Sequence, residues 1–119
     1  MEYLNYLLPA LVIFFIIKRF LPIKGFKQIS TTELKNELND KNKQYIDVRT
    51  PGEFKSNNIR GFKNLPLQQL AQKSNELSKE KEVVVICQSG MRSGQASKLL
   101  KKQGFKQVTN VKGGMSAWS

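Results

Sequence analysis

Residues 82–93 read EVVVICQSGMRS. After Glu82 come four consecutive apolar β-formers, the pattern of a short strand buried on both faces within a parallel sheet. At Cys87 the run gives way to a polar, glycine-containing loop. Apolar positions then return at Ala96, Leu99 and Leu100, one side of a helix predicted over 93–103, with Gly104 suited to the position just past its end. This order sets Cys87 at the carboxyl end of a central strand, the edge of an open α/β sheet where ligands bind. Loop N–H groups and the positive end of the helix dipole converge there, and Arg92 adds a nearby cation, so a thiol at this point is acidified. Gly90 and Gly94 allow the tight curl such a ring of amides needs. A cysteine that is merely buried at a strand end also fits the residue type.

Outward from this unit the chain alternates short strands and helices. Phe26 to Ile29 reads as a strand, and Ser30 or Thr31 can cap a helix carrying Glu33, Leu34 and Leu38. Residues 45–48 read as a second strand, Pro51 opens a short helix through Phe54, and another helix runs from Leu67 toward Leu77. Residues 107–110 form a further strand, and Gly113-Gly114 turns into a last helix ending near Trp118. The alternation predicts an α/β domain with a mainly parallel sheet.

The chain of 119 residues divides by composition into two unlike pieces. Residues 3–17, YLNYLLPALVIFFII, hold no charge, and Lys18, Arg19, Lys24 and Lys27 follow them. With Phe20, Leu21 and Ile23 lengthening the run, the expectation is one N-terminal transmembrane helix, an uncleaved anchor, within residues 1–27. A cleaved signal peptide would carry its positive charge before the apolar run, where this chain has Glu2. The positive-inside rule places the basic flank and the following domain, residues 28–119, in the cytoplasm. The expected localisation is therefore a single-pass membrane protein with its domain facing the cytoplasm.

Beyond residue 27 there are 16 Lys and Arg against 8 Asp and Glu. Such a charge suits anionic lipid or small anions. The lysines are scattered and no aromatic stacking motif accompanies them, so nucleic acid is not an expected partner. There is no His, which excludes Ser-His and Cys-His pairs and the usual zinc sites, and the single Cys excludes an internal disulfide.

Residues 87–93, CQSGMRS, resemble the active-site loop of rhodanese-like domains, Cys-x-x-Gly-x-Arg-Ser. Residues 47–54, DVRTPGEF, are similar to the family's Asp-Val-Arg…Glu-Phe motif, and residues 111–118, VKGGMSAW, to its Gly-Gly-x-x-x-Trp motif. The resemblance spans about residues 28–119 in the right order. It departs at Asn57-Asn58, where members commonly carry Gly-His, and at Phe62, where they often have Ala. It implies a three-layer rhodanese-like α/β domain with a mainly parallel central sheet. It further implies Cys87 as nucleophile and persulfide carrier, with Gln88, Ser89, Gly90, Met91 and Arg92 binding an anionic substrate. Asp47, Arg49, Glu53 and Ser93 would support the site, and Trp118 would pack in the core.

The function so implied is a sulfurtransferase with no metal or organic cofactor, of the thiosulfate type. A small anionic donor such as thiosulfate, or a persulfide, gives sulfur to Cys87, and an external thiol, a protein acceptor or cyanide removes it. The lipid bilayer would be the partner of the N-terminal segment. The alternative is a non-catalytic rhodanese-like binding or redox-sensing module at the membrane, whose hallmark would be loss of the cysteine. Tyrosine and dual-specificity phosphatases use Cys-x5-Arg, whereas Cys87 and Arg92 stand in Cys-x4-Arg spacing, a ring suited to one sulfur atom rather than a tetrahedral oxyanion.

Overall fold

A computed structural model describes residues 2–20 and 26–118. Five strands, β1 (Phe26–Ile29), β2 (Gln44–Asp47), β3 (Lys63–Asn64), β4 (Val83–Ile86) and β5 (Val108–Val111), form one sheet in the order β1-β5-β4-β2-β3. Every pairing is parallel, with Ile46 and Asn110 both in register with Val85. Helices cover the sheet: α2 (Thr31–Glu37), α3 (Pro51–Ser56), α4 (Leu67–Lys73), which runs on into a 3-10 turn at Ser74–Glu76, α5 (Met91–Lys102) and α6 (Gly114–Ala117).

The central strand β4 shows why an uninterrupted apolar run is needed. Side chains alternate across a strand, so Val83, Val85 and Cys87 enter one core and Val84 and Ile86 the other. The first core closes on Leu70 of α4 and Ala96 and Leu100 of α5. The second closes on Leu34 of α2 and Met115 of α6. This is the expected three-layer α/β architecture. All four residues of β4 are buried on both sides of the sheet.

Local chemistry places the helix starts. Ser30 caps α2 and Thr50 caps α3, each in a reciprocal capping box with the glutamate three residues on, Glu33 and Glu53, and Pro51 sits in the first turn of α3. The start of α5 differs from the expected position 93. Gly90, at φ +104°, is its N-cap, so Met91 and Arg92 already belong to its first turn. The loop proper is residues 88–90. Strand β3 was not anticipated, because two residues carry no periodicity.

Of the two departures from the family pattern, Phe62 is buried, its ring tilted against that of Tyr45 with centroids 5.4 Å apart. Trp118 is half-buried at the margin of the second core rather than within it, with Lys35 Nζ 5.2 Å from its ring centroid.

Helix α1 spans Glu2–Phe20 with Pro9 inside it. Its apolar side chains from Leu7 to Ile16 stand exposed, Leu8 and Phe15 both at 66%. Among the described residues no helix is long and apolar enough to cross a membrane, so the expected transmembrane helix is not found. The charge-free run of 15 residues covers about 22 Å at about 1.5 Å per residue, short of a hydrocarbon core of about 30 Å. The residues expected to lengthen it, Leu21 and Ile23, and the basic Lys24, lie outside the described residues.

Candidate active site

Cys87 follows directly on β4 and is fully buried. Its sulfur is the acceptor for the backbone N–H of Gly90, 2.9 Å away, and lies 3.3 Å from the hydroxyl of Ser93 in α5. Ser93 is itself buried and fixed, its hydroxyl also 3.2 Å from the carbonyl of Gly90. Burial opposes ionisation of the thiol. The Ser93 hydroxyl and the amides of Ser93, Gly90 and Ser89 outweigh it, and the thiol is held below its ordinary range. The dominant aids are hydrogen bonds from the loop and helix start, while Arg92 interacts with Cys87 through its charge and not as one of these donors.

Arg92 instead meets Glu53 in a two-pronged ion pair, Nη1 to Oε1 at 2.7 Å and Nη2 to Oε2 at 2.9 Å. The Arg92 guanidinium, with the Thr50 amide next, holds the Glu53 carboxyl at about 2, well below the usual carboxylate range. Beside Arg92 lies a cavity of about 70 Å³ lined by Val48, Thr50, Pro66, Leu67 and Gln68.

The expected supporting set divides in two. Asp47 and Arg49 form a buried pair at 2.8 Å, separate from Glu53. Arg49 also donates to the carbonyl of Asn57 at 2.6 Å and to its side-chain oxygen at 3.2 Å. Asn57 is one of the departures from the family pattern, and here it satisfies a buried guanidinium. The same guanidinium reaches Gln88 Oε1 at 3.4 Å, while Gln88 Nε2 donates to Ser116 at 3.2 Å. Gln88 therefore turns its side chain into the scaffold rather than toward Cys87. Met91 is 76% exposed at the start of α5, and its side chain points into solvent. Among the described residues no group of three or more acidic or thiol side chains is gathered to hold a metal.

Sequence reasoning missed what stands behind the loop. The first amides of α6 clamp its carbonyls: Met115 N–H donates to Cys87 O at 2.8 Å and Ser116 N–H to Gln88 O at 2.9 Å. This turns the loop's amide side toward the sulfur. The approach is so close that a Cβ on Gly114 would lie 2.1 Å from Cys87 O. Gly114 also has φ +53°. The Gly113-Gly114 pair was legible as a turn, but its contact with the cysteine loop was not.

The site has the form of a strand-end cysteine with the Gly90 amide directed at its sulfur, and comparison with known proteins agrees with it. The family model described as "Rhodanese-like domain" matches residues 30–119. The chain belongs to the rhodanese-like domain family. It is 43% identical over 93 residues to a putative sulfurtransferase, YtwF, of Bacillus subtilis, which covers 77% of this chain and 89% of that one. It is 32% identical over 96 residues to the thiosulfate sulfurtransferase GlpE of Shewanella oneidensis, covering 81% of this chain and 95% of that one. The crystal structure of a rhodanese-like domain protein from Staphylococcus aureus superposes with TM-score 0.73 at 35% identity, covering 79% of this chain and 92% of that one. Against two other Bacillus subtilis relatives the chain spans only 60% and 50% of their length.

In this rhodanese-like domain the α6 clamp predicts a contrast between two glycines. Gly114→Ala drives the loop off its seat and slows alkylation of Cys87 at neutral pH, with loss of thermal stability. Gly52→Ala, in α3 with nothing within 4 Å of the new Cβ, leaves both unchanged or slightly raises stability. Equal behaviour of the two variants in a paired melting and iodoacetamide-rate experiment contradicts the clamp.

Proposed function

We propose that this rhodanese-like protein is a sulfurtransferase that carries sulfane sulfur as a persulfide on Cys87. The observation that carries the reading is the polar surround of the sulfur: the Gly90 amide donates to it at 2.9 Å, and the Ser93 hydroxyl, which accepts from the thiol at 3.3 Å, is placed to donate once the thiol ionises. Such donors stabilise the thiolate, which is the nucleophile, and the terminal sulfur of a persulfide bears the same kind of charge. The names of the relatives, putative sulfurtransferase and thiosulfate sulfurtransferase, support the same chemistry.

The reaction is a double displacement. The Cys87 thiolate attacks the outer sulfur of thiosulfate, a new S–S bond forms, and the bond to the sulfonate sulfur breaks with its electron pair leaving on sulfite. A persulfide donor reacts likewise and leaves as a thiolate. An external nucleophile, a thiol or cyanide, then attacks the terminal sulfur of the Cys87 persulfide and returns the thiolate. Acceptance from outside the chain is required, since Cys87 is the sole cysteine. Gly90 and Ser93 hold charge at the sulfur, and the α6 clamp keeps the loop facing it. On incubation with thiosulfate, intact-mass measurement is expected to find one added sulfur atom on the chain, and none on Cys87→Ser. Sulfur transfer to cyanide by Cys87→Ser would contradict the assignment.

The reading includes the N-terminal helix as a membrane attachment, with the domain on the cytoplasmic side. Its support is the exposed apolar surface of α1 from Leu7 to Ile16 and the basic residues that follow in the sequence. The full-length chain is expected to stay with membranes through alkaline carbonate extraction. Lysines beyond Gly25 are expected to be protected from an impermeant label in intact cells. Release by carbonate would contradict the attachment, and labelling from outside the topology.

A further inference from the structure

We propose that Glu53 sets which sulfur donor Cys87 accepts, by masking the charge on Arg92 that a dianionic donor would otherwise meet. The proposal rests on the sulfur-carrier reading above and deepens it.

The mask is built in advance of any ligand. Glu53 Oε1 takes three donors: Arg92 Nη1 at 2.7 Å, the Thr50 hydroxyl at 3.0 Å and the Thr50 amide at 3.1 Å. Its other oxygen takes Arg92 Nη2 at 2.9 Å. The carboxylate is therefore fixed by the capping box of α3 as well as by the arginine, and it cannot swing aside without uncapping that helix. Arg92 is held in turn by its place in the first turn of α5, next to Ser93. Both partners remain about one-third exposed, 36% for Arg92 and 33% for Glu53, and Arg92 lies within electrostatic reach of Cys87.

The consequence is that the cation within electrostatic reach of Cys87 is offset by a carboxylate. The adjoining cavity is lined, apart from Arg92, by uncharged residues, with Val48, Pro66 and Leu67 making it largely apolar. Thiosulfate would bring two negative charges to this place. A persulfide with an uncharged body brings one, carried on the sulfur that the Gly90 amide and Ser93 hydroxyl are placed to meet. The masked arginine thus favours the persulfide over the dianion. Removing the carboxylate charge unmasks Arg92 and shifts the preference toward thiosulfate.

Glu53→Gln tests this with little change of shape. Its amide oxygen can still accept from Thr50, while its N–H₂ cannot accept from Arg92. Loading of Cys87 is measured with thiosulfate and with the persulfide of mercaptoethanol, in wild-type, Glu53→Gln and Glu53→Asp protein. The thiosulfate-to-persulfide ratio of loading efficiencies is expected to rise roughly three- to tenfold in Glu53→Gln, the scale of one partly screened charge. It is expected to stay near the wild-type value in Glu53→Asp, which keeps the charge. A merely structural role would lower both donors together and leave the ratio alone. An unchanged or lower ratio in Glu53→Gln overturns the proposal.

A second measurement needs no sulfur transfer. Methanethiosulfonate reagents with anionic and cationic tails convert the Cys87 thiolate to a mixed disulfide and release methanesulfinate. The anionic-to-cationic rate ratio is expected to rise in Glu53→Gln by a similar factor, and a flat ratio overturns the mask. Wild-type protein that loads from neither donor defeats the sulfur-carrier reading, while the reagent ratio still decides for or against the mask.

Discussion

Cys87 presents one polar group to each side of its own peptide environment, and both are taken. Its sulfur receives the Gly90 amide from the loop in front. Its carbonyl receives the Met115 amide from α6 behind. These two bonds hold the loop with amides inward and carbonyls outward, and without that orientation a buried thiolate loses the Gly90 and Ser89 amides that join Ser93 in offsetting its desolvation. Much of the rest of the domain serves to keep them in place. The apolar strand β4 delivers the cysteine, the cap of α5 turns the loop, and the close approach at Gly114 brings α6 within reach. The buried Arg49 ties Gln88 to Asp47 and Asn57 so that the loop cannot roll.

Charge is arranged differently from what a cation near a thiol first suggests. Arg92 belongs to the loop motif, but its guanidinium is engaged by Glu53, and the hydrogen bonds that lower the thiol come from neutral groups. The division has a physical logic. Neutral amides point charge-stabilising dipoles at one atom without attracting anions in general. A bare arginine would draw any small anion toward the site. In this domain the sulfur receives local stabilisation from neutral groups, and the charge of the nearby Arg92 is offset by Glu53.

The parts legible in the sequence were those in which neighbouring residues carry the signal. The run of Val83 to Ile86 could only be a doubly buried strand, and Ser30 and Thr50 announce their helices through the glutamates three residues on. What escaped depends on distant partners or on backbone shape. Arg92 and Glu53 lie 39 residues apart, and Asp47, Arg49 and Glu53 look like one cluster along the chain, whereas Asp47 pairs with Arg49 and Glu53 with Arg92. Helix α5 begins two residues early because Gly90 takes a left-handed conformation, which residue type permits but does not reveal. Strand β3 is too short for any period. At the N-terminus, composition alone suggested a span, whereas the described helix is not long and apolar enough to cross.

The measurement that bears most directly on this account is the titration of Cys87, followed by the pH dependence of its alkylation rate in wild-type and Ser93→Ala protein. Cys87 is the only cysteine, so the rate reports one group. The account predicts a wild-type thiol ionising below the ordinary 9.0, and a clear upward shift when the Ser93 hydroxyl is removed while the amides remain. A wild-type thiol that ionises at or above the ordinary value, or one indifferent to Ser93, would contradict it.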